Sequence, residues 1–233
     1  MTSSPKPTTP SADGARGERQ RRRNLLAWGA GGMVASLAAF GAATMRSPSP
    51  APMRWRGTGR VPDVPLVTHE GKPVRFYSDL VKDRLVLVNM MYAQCNDRCP
   101  PMTFNLRQVQ EALGGRVGRD VFMYSVSLLP EHDRPADLRG YMDQHRVGPG
   151  WTFLTGTKDA VEQLRFGMGF FDPDPARDAD LAQHIGMVRI GNDALDRWCM
   201  APLLQEPALI LEAMTAVDPV SRMRSRAATP RVA

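Results

Sequence analysis

One short stretch of this chain restricts its fold more than any other: an apolar run, two cysteines and a helix-like segment follow one another directly. Residues 85–92 are apolar at nearly every position, as in a central strand that is buried on both faces. Cys95 and Cys99 come next, and Pro100 and Pro101 suit the first turn of a helix. A dithiol at such a junction can exchange disulfides, attack an electrophile or hold a soft metal.

The sequence around this stretch alternates between strand and helix signals. Apolar periodicity and turn residues predict a hairpin at 65–76, strands at 85–92, 121–128 and 151–154, a second hairpin at 187–198, and helices at 102–113, 134–145, 157–168 and 206–217. This order predicts a layered α/β domain. We expect a thioredoxin-like central sheet with flanking helices and added β-hairpins, and the dithiol lies where that fold places its chemistry.

The two ends of the chain are predicted to lie outside this domain. We interpret the chain as a basic signal region at 1–24, an apolar signal or membrane anchor at 25–45, a linker at 46–61, the domain at 62–219 and a basic flexible tail at 220–233. The uncharged stretch is long enough to span about 30 Å of hydrocarbon. Arg22 and Arg23, just before it, resemble a twin-arginine export signal. The domain is therefore expected on the periplasmic side of the inner membrane, by anchor or after twin-arginine-type export.

The net charge of +6 belongs to the two ends of the chain. Residues 1–23 carry six basic and two acidic side chains, and residues 220–233 carry four arginines and no acid. The part between them is therefore slightly acidic. A nucleic-acid partner is disfavoured, because such a partner requires a basic face on the folded domain.

The dithiol alone does not separate metal binding from redox exchange. A helix start stabilises a thiolate, and thiolate is the form that does both. A histidine ligand would favour metal, and two thiolates with one imidazole suit Cu(I) and also bind Cu(II). His69, His132 and His145 are placed in turns, loops or helix ends and are expected to face solvent. His184 differs, because it follows a long loop at 172–183 that can fold over the dithiol.

Three segments carry a resemblance to the Sco/SenC family. Residues 92–100, Tyr-Ala-Gln-Cys-Asn-Asp-Arg-Cys-Pro, resemble its Cys-x-x-x-Cys-Pro motif. Residues 125–135 resemble its next strand and the following Asp-x-Pro loop, and residues 151–156 resemble the strand after that. His184, shortly before a strand and a Gly-Asn turn, matches the position of the family's histidine ligand. The resemblance extends over about residues 62–217.

The resemblance implies a copper-binding metallochaperone more than an enzyme. It implies one copper per monomer, held as Cu(I) or Cu(II) by Cys95, Cys99 and His184. It also implies copper delivery to the CuA-bearing subunit of cytochrome c oxidase, or reduction of that centre's cysteines. Other copper chaperones or thiol reductants are further expected partners. The alternative is an extracytoplasmic thiol-disulfide oxidoreductase that uses Cys95 and Cys99 without His184, and a thioredoxin-superfamily peroxidase is a third hypothesis.

Four residues beside the predicted ligands depart from the family pattern: Asn96, Asp97 and Arg98 between the cysteines, and Gln183 before the histidine. Arg98 is expected to favour thiolate and to oppose a bound cation. Gln183 replaces a carboxylate that would orient the imidazole.

The other sulfur-containing residues are predicted to serve packing. Cys199 is interpreted as a buried free thiol, and Met102, Met142 and Met168 occupy core-like helical positions. Met90 and Met91 are close enough to the dithiol to line its surroundings.

Overall fold

The computed structural model describes residues 61–181 and 186–220. Within these ranges the strands are β1 (Pro65–Thr68), β2 (Pro73–Arg75), β3 (Leu85–Met91), β4 (Val121–Ser127), β5 (Trp151–Gly156), β6 (Met187–Asn192) and β7 (Arg197–Pro202). The α-helices are α1 (Cys99–Leu113), α2 (Pro135–Gln144), α3 (Lys158–Gly167), α4 (Pro175–Asp178) and α5 (Pro207–Met214). A π-helical turn spans Phe76–Val81, and 3₁₀ turns span Gly114–Arg116 and Asp193–Leu195.

The seven strands form one sheet in the order β2-β1-β5-β4-β3-β6-β7. Strands β3, β4 and β5 are parallel neighbours, while β1 pairs antiparallel with β5 and β6 pairs antiparallel with β3. The predicted hairpins are confirmed as the antiparallel pairs β1–β2 and β6–β7, and they occupy the two edges. The parallel strands are joined through helices, as parallel connections require.

Strand β3 is buried at all seven positions, as its uniformly apolar sequence predicts. Its alternate side chains enter two separate cores, because successive residues of a strand point to opposite faces. Leu87 and Met91 pack in the core that contains both Cys95 and Cys99. Met90 packs in the other core. Of the two methionines expected to line the dithiol, only Met91 shares its core.

Sequence signals locate the ends of the main helices. Helix α1 begins at Cys99 with Pro100 and Pro101 in its first turn, and ends before Gly114. Gly114 has a φ of 52°, a conformation that suits glycine better than other residues. The Thr157 side chain caps α3 by accepting a hydrogen bond from the Ala160 backbone N–H, as predicted.

Several sequence predictions lie outside the described residues. These are the signal region, the apolar anchor, nearly all of the linker and basic tail, and the loop residues 182–185. Within residues 61–181 and 186–220, no helix has both the length and the apolar character needed to cross a membrane.

Gly150 permits a close backbone approach, and its replacement by alanine is expected to destabilise the domain. A Cβ atom there would lie 2.8 Å from the Gly118 backbone nitrogen, and Gly150 has a φ of +83°. We expect a loss of about 2 to 4 kcal/mol in the free energy of unfolding, measured by urea denaturation. Gly140 in α2 is the matched control, since a Cβ there meets open space and should stabilise by about 0.5 to 1 kcal/mol. Equal stability of the two alanine variants would contradict this account.

Candidate dithiol site

The two cysteines lie together at the carboxyl end of β3. Residues 92–95 form a turn in which the Cys95 N–H donates to the Tyr92 carbonyl at 3.2 Å. The chain then reaches Cys99, which is the first residue of α1 rather than a residue just before it. The Cys99 backbone N–H donates to the Cys95 sulfur at 3.3 Å. Both thiols are free and buried, and Cys99 is fully so.

The surroundings shift the pKa values of the two thiols in opposite directions. Burial alone would raise the pKa of Cys95, but hydrogen bonds from the Cys99 and Asp97 backbones, the Cys99 thiol and the Tyr92 hydroxyl hold that pKa below its ordinary value. Burial raises the pKa of Cys99, and the negative charges of Cys95 and Asp133 raise it further. Thiolate is therefore favoured at Cys95 and opposed at Cys99.

Two tyrosines border the dithiol. Burial and the hydrogen bond to Cys95 raise the pKa of Tyr92 to about 12, so its hydroxyl stays protonated and donates. Tyr141 of α2 is buried and its hydroxyl lies 2.8 Å from the Thr103 hydroxyl of α1. Burial raises the pKa of Tyr141, with smaller effects of the two cysteines. From the sequence, Tyr92 was interpreted only as the end of an apolar strand, and its hydrogen bond to Cys95 was not predicted. Its position three residues before Cys95 is the signal that could have indicated this role.

A buried carboxylate, which lies in the Asp-x-Pro segment at 133–135 but to which the sequence assigned no role, also belongs to these surroundings. Asp133 lies in the loop between β4 and α2 and is 1% exposed. Its Oδ2 atom accepts hydrogen bonds from the Ala93 N–H at 2.9 Å and the Ser127 hydroxyl at 2.6 Å. The signal available in the sequence is an Asp-x-Pro segment after a buried strand that ends at the same sheet edge as the dithiol.

Of the three predicted ligands, the structure brings Cys95 and Cys99 together, while His184 and the neighbouring Gln183 lie outside the described residues. Arg98 immediately precedes α1, and its guanidinium lies beside Gly186. Among the described residues, no cluster of three or more His, Cys, Asp or Glu side chains is arranged to hold a metal ion. The dithiol is thus a two-sulfur site within these ranges, and the third ligand stays a prediction.

Among the described residues, no contact places His69, His132 or His145 at the dithiol. His132 is exposed. His69 and His145, expected to face solvent, are half-buried instead. His69 accepts a hydrogen bond from the Phe153 N–H at 3.3 Å. His145 packs on Tyr141, and burial lowers its pKa.

The third cysteine and the methionines serve packing, as predicted. Cys199 is buried and free in β7, and its thiol donates to the Ala213 carbonyl at 3.5 Å. Burial raises the pKa of Cys199 to about 11. Met102 and Met168 are fully buried and Met142 packs against the core.

A cavity of about 450 Å³ lies elsewhere, beside α3 and α4. Arg165 at its wall pairs with Asp178 at 2.6 Å and with Glu162 at 2.9 Å. None of the described lining residues belongs to the dithiol loop. The cavity is therefore separate from the candidate dithiol site.

In the reduced protein without metal, iodoacetamide is expected to alkylate Cys95 at least about tenfold faster than Cys99 at pH 7. The reason is that the reactive thiolate is favoured at Cys95 and opposed at Cys99. The rate at Cys95 should level off at a lower pH than the rate at Cys99. Trypsin cleaves after Arg98, so mass spectrometry measures the two thiols on separate peptides. Cys199, whose pKa is raised, is an internal slow control, and equal rates at Cys95 and Cys99 would contradict the assignment.

A dithiol at the end of a central parallel strand, in an α/β domain of this topology, defines a thioredoxin-like protein. The family model described as SCO1/SenC matches residues 61–189, more than half of the chain. The chain therefore belongs to the SCO1/SenC family, and both the predicted family and the predicted fold class are confirmed.

Individual relatives agree with this placement. The chain is 32% identical over 97 residues to the SCO1 protein homolog of Bacillus subtilis, a match that covers 41% of this chain and about half, 49%, of that relative. It resembles the copper-bound structure of Bradyrhizobium japonicum ScoI at 22% identity and a TM-score of 0.53, covering 66% of this chain and 97% of ScoI. The similarity to BsSco has 22% identity and a TM-score of 0.55, covering 71% and 95%. At these identities the structural matches show the shared fold.

Proposed function

We propose that this protein binds one copper ion through Cys95, Cys99 and His184 and delivers it to the CuA site of cytochrome c oxidase. The observation that carries the proposal is the adjacent pair of cysteines, in which the Cys99 N–H donates to the Cys95 sulfur at 3.3 Å and the pKa of Cys95 is lowered. Soft thiolate sulfur is the donor that Cu(I) prefers. The family setting adds support, because ScoI of Bradyrhizobium japonicum and yeast Sco1 have solved structures with copper bound.

Copper would move by ligand exchange and not by turnover of a substrate. Each incoming thiolate of the partner replaces one thiolate of this chain on the metal, and the released sulfur takes up a proton. No electrons are transferred, so the metal keeps its oxidation state. BsSco is described as a member of the Sco family of cytochrome c oxidase assembly proteins, and this supports the choice of client. We further propose that the domain works on the periplasmic side of the inner membrane, tethered or exported by residues 1–45.

Copper titration of the reduced full-length protein tests this proposal. We expect a stoichiometry of about one, with a thiolate-to-copper charge-transfer absorption in the Cu(II) form. Transfer is then measured by mixing the loaded protein with a metal-free CuA-bearing domain and following the copper in each. A protein that binds no copper when fully reduced would overturn the proposal.

The second candidate function is thiol-disulfide exchange. It is favoured by the opposite pKa shifts of the two thiols, lowered at Cys95 and raised at Cys99. The Cys95 thiolate would attack a client disulfide, form a mixed disulfide and release one client thiolate. Cys99, on losing its proton, would then attack the Cys95 sulfur and release the second client thiol. The client gains two electrons and this chain ends with a Cys95–Cys99 disulfide, which a dithiol reductant outside the cytoplasm must reduce again.

The variant His184→Ala separates the two functions. Full disulfide reductase activity without copper binding in this variant would favour the oxidoreductase. Loss of copper binding in this variant, together with a wild-type protein that shows no reductase activity, would favour the metallochaperone.

A further inference from the structure

Asp133 is a buried charge that the proposed copper site does not use. Its side chain is 1% exposed, and a carboxylate so buried is costly unless its oxygens are paired. Only Oδ2 is paired, because Oδ1 has no hydrogen-bond partner among the residues that the structure describes. The same ranges contain no ion pair to Asp133. A buried anionic oxygen left in this state requires an explanation, and its position beside the dithiol suggests one.

The paired oxygen links the dithiol turn to the sheet. Oδ2 accepts from the Ala93 N–H, two residues before Cys95, and from the Ser127 hydroxyl at the end of β4. The Ser127 oxygen in turn accepts from the Leu129 N–H at 2.9 Å. The two hydrogen bonds to Oδ2 therefore fasten the turn that carries Cys95 to the neighbouring parallel strand, and the third holds the Ser127 hydroxyl in place.

The Asp133 carboxylate also lies close to the dithiol, since its Oδ2 atom is 2.9 Å from the amide nitrogen of Ala93, two residues before Cys95. A carboxylate next to two sulfur ligands makes the site more negative, and a more negative site holds a cation more strongly.

We propose that Asp133 is a positioning residue for the copper site: its carboxylate holds the turn bearing Cys95 against β4, and its charge strengthens the binding of the cation. The proposal rests on the proposed copper function. It assigns no direct metal contact to Asp133, which acts through Ala93 and through its field.

Two variants of the full-length protein separate the effect of the Asp133 hydrogen bonds from the effect of its charge. Asp133→Asn keeps an oxygen for the Ala93 and Ser127 donors but removes the charge, so Cu(I) affinity should fall about tenfold in competition with a chelator. Asp133→Ala removes both, so affinity should fall by up to about 100-fold. Hydrogen–deuterium exchange of the Ala93 amide is the readout without metal. It should be slow in the wild type and in Asp133→Asn, and clearly faster in Asp133→Ala.

Asp218→Asn is the matched control, because Asp218 is a similarly buried carboxylate whose described ionic partner is Arg116 and not the dithiol turn. It weakens the Arg116 ion pair, but below its unfolding transition, located by thermal unfolding, it should leave both the copper affinity and the Ala93 exchange unchanged. Ser127→Ala removes the Ser127 hydrogen bond but keeps the one from Ala93, so its loss of copper affinity should be smaller than that of Asp133→Ala. This milder variant still tests the link if Asp133→Ala does not fold.

Copper affinities within twofold of wild type in both Asp133 variants would overturn the proposal. Unchanged Ala93 exchange in Asp133→Ala would overturn it as well. A wild-type protein that binds no copper would refute the copper function instead, while the exchange measurement would still test the link.

Discussion

Replacing any one of Cys95, Cys99 or His184 is expected to abolish binding of the single copper ion. C95S and C99S each exchange a soft sulfur for a hard oxygen, and H184A removes the only nitrogen ligand proposed. Because Cu(I) sites in proteins depend on a small number of soft donors, we expect the stoichiometry under chelator competition to fall from about one towards zero. The measurement is copper per protein after dialysis against the chelator, with the charge-transfer absorption followed in parallel.

Matched replacements elsewhere in the chain control for this effect. C199S changes a buried thiol that lies in β7 and bonds to Ala213, and H132A changes an exposed histidine. Both should retain about one copper. Unchanged stoichiometry in all three ligand variants would eliminate the proposed site, and loss in H184A alone would leave the dithiol without a metal role.

Asp218→Ala is expected to be among the most destabilising single changes in the described residues. The Arg116 guanidinium lies 2.6 Å from the Asp218 carboxylate, and both side chains are more than nine-tenths buried. Removing the carboxylate leaves the buried guanidinium without its buried ionic partner, which costs about 3 to 5 kcal/mol. For a domain of this size that corresponds to a fall in Tm on the order of 10 °C, measured by thermal unfolding.

The exposed ion pair Arg107–Glu111 is the control, because breaking it removes an ion pair that is not buried. Its atoms are 3.4 Å apart and the Glu111 side chain is 64% exposed. Glu111→Ala should therefore change stability by less than about 0.5 kcal/mol. If the stability of Asp218→Ala lies within about 1 kcal/mol of the wild type, burial does not set the strength of the Arg116–Asp218 pair.

Much of the fold follows from local signals in the sequence. The apolar run at β3, the proline pair at the start of α1, Gly114 at its end and the Thr157 cap each act over a few residues, and the structure reproduces them. The order of the strands in the sheet is not determined by local signals. That β5 lies between β1 and β4 depends on pairing between strands far apart in sequence, and no local signal predicts it.

The candidate site was predictable in part for the same reason. The Cys-x-x-x-Cys spacing, read with the helix signal after it, predicted two interacting thiols at a strand end. The spacing did not reveal which thiol is favoured as thiolate, because that difference comes from hydrogen bonds to Cys95 and from the deeper burial of Cys99. Nor did it reveal Asp133, whose link to Ala93 spans 40 residues of chain.

The sequence by itself determined the alternation of strands and helices, the family, and the pair of sulfurs at the end of β3. The alternation and the sulfur pair follow from periodicity and spacing, which are properties of neighbouring residues, whereas the family follows from the resemblance of short sequence segments. The tertiary structure decided the asymmetry of the two thiols, the placement of Met90 and Met91 in separate cores, and the buried carboxylate beside the dithiol turn. Those features depend on burial and on hydrogen bonds between distant segments, which exist only once the chain has folded.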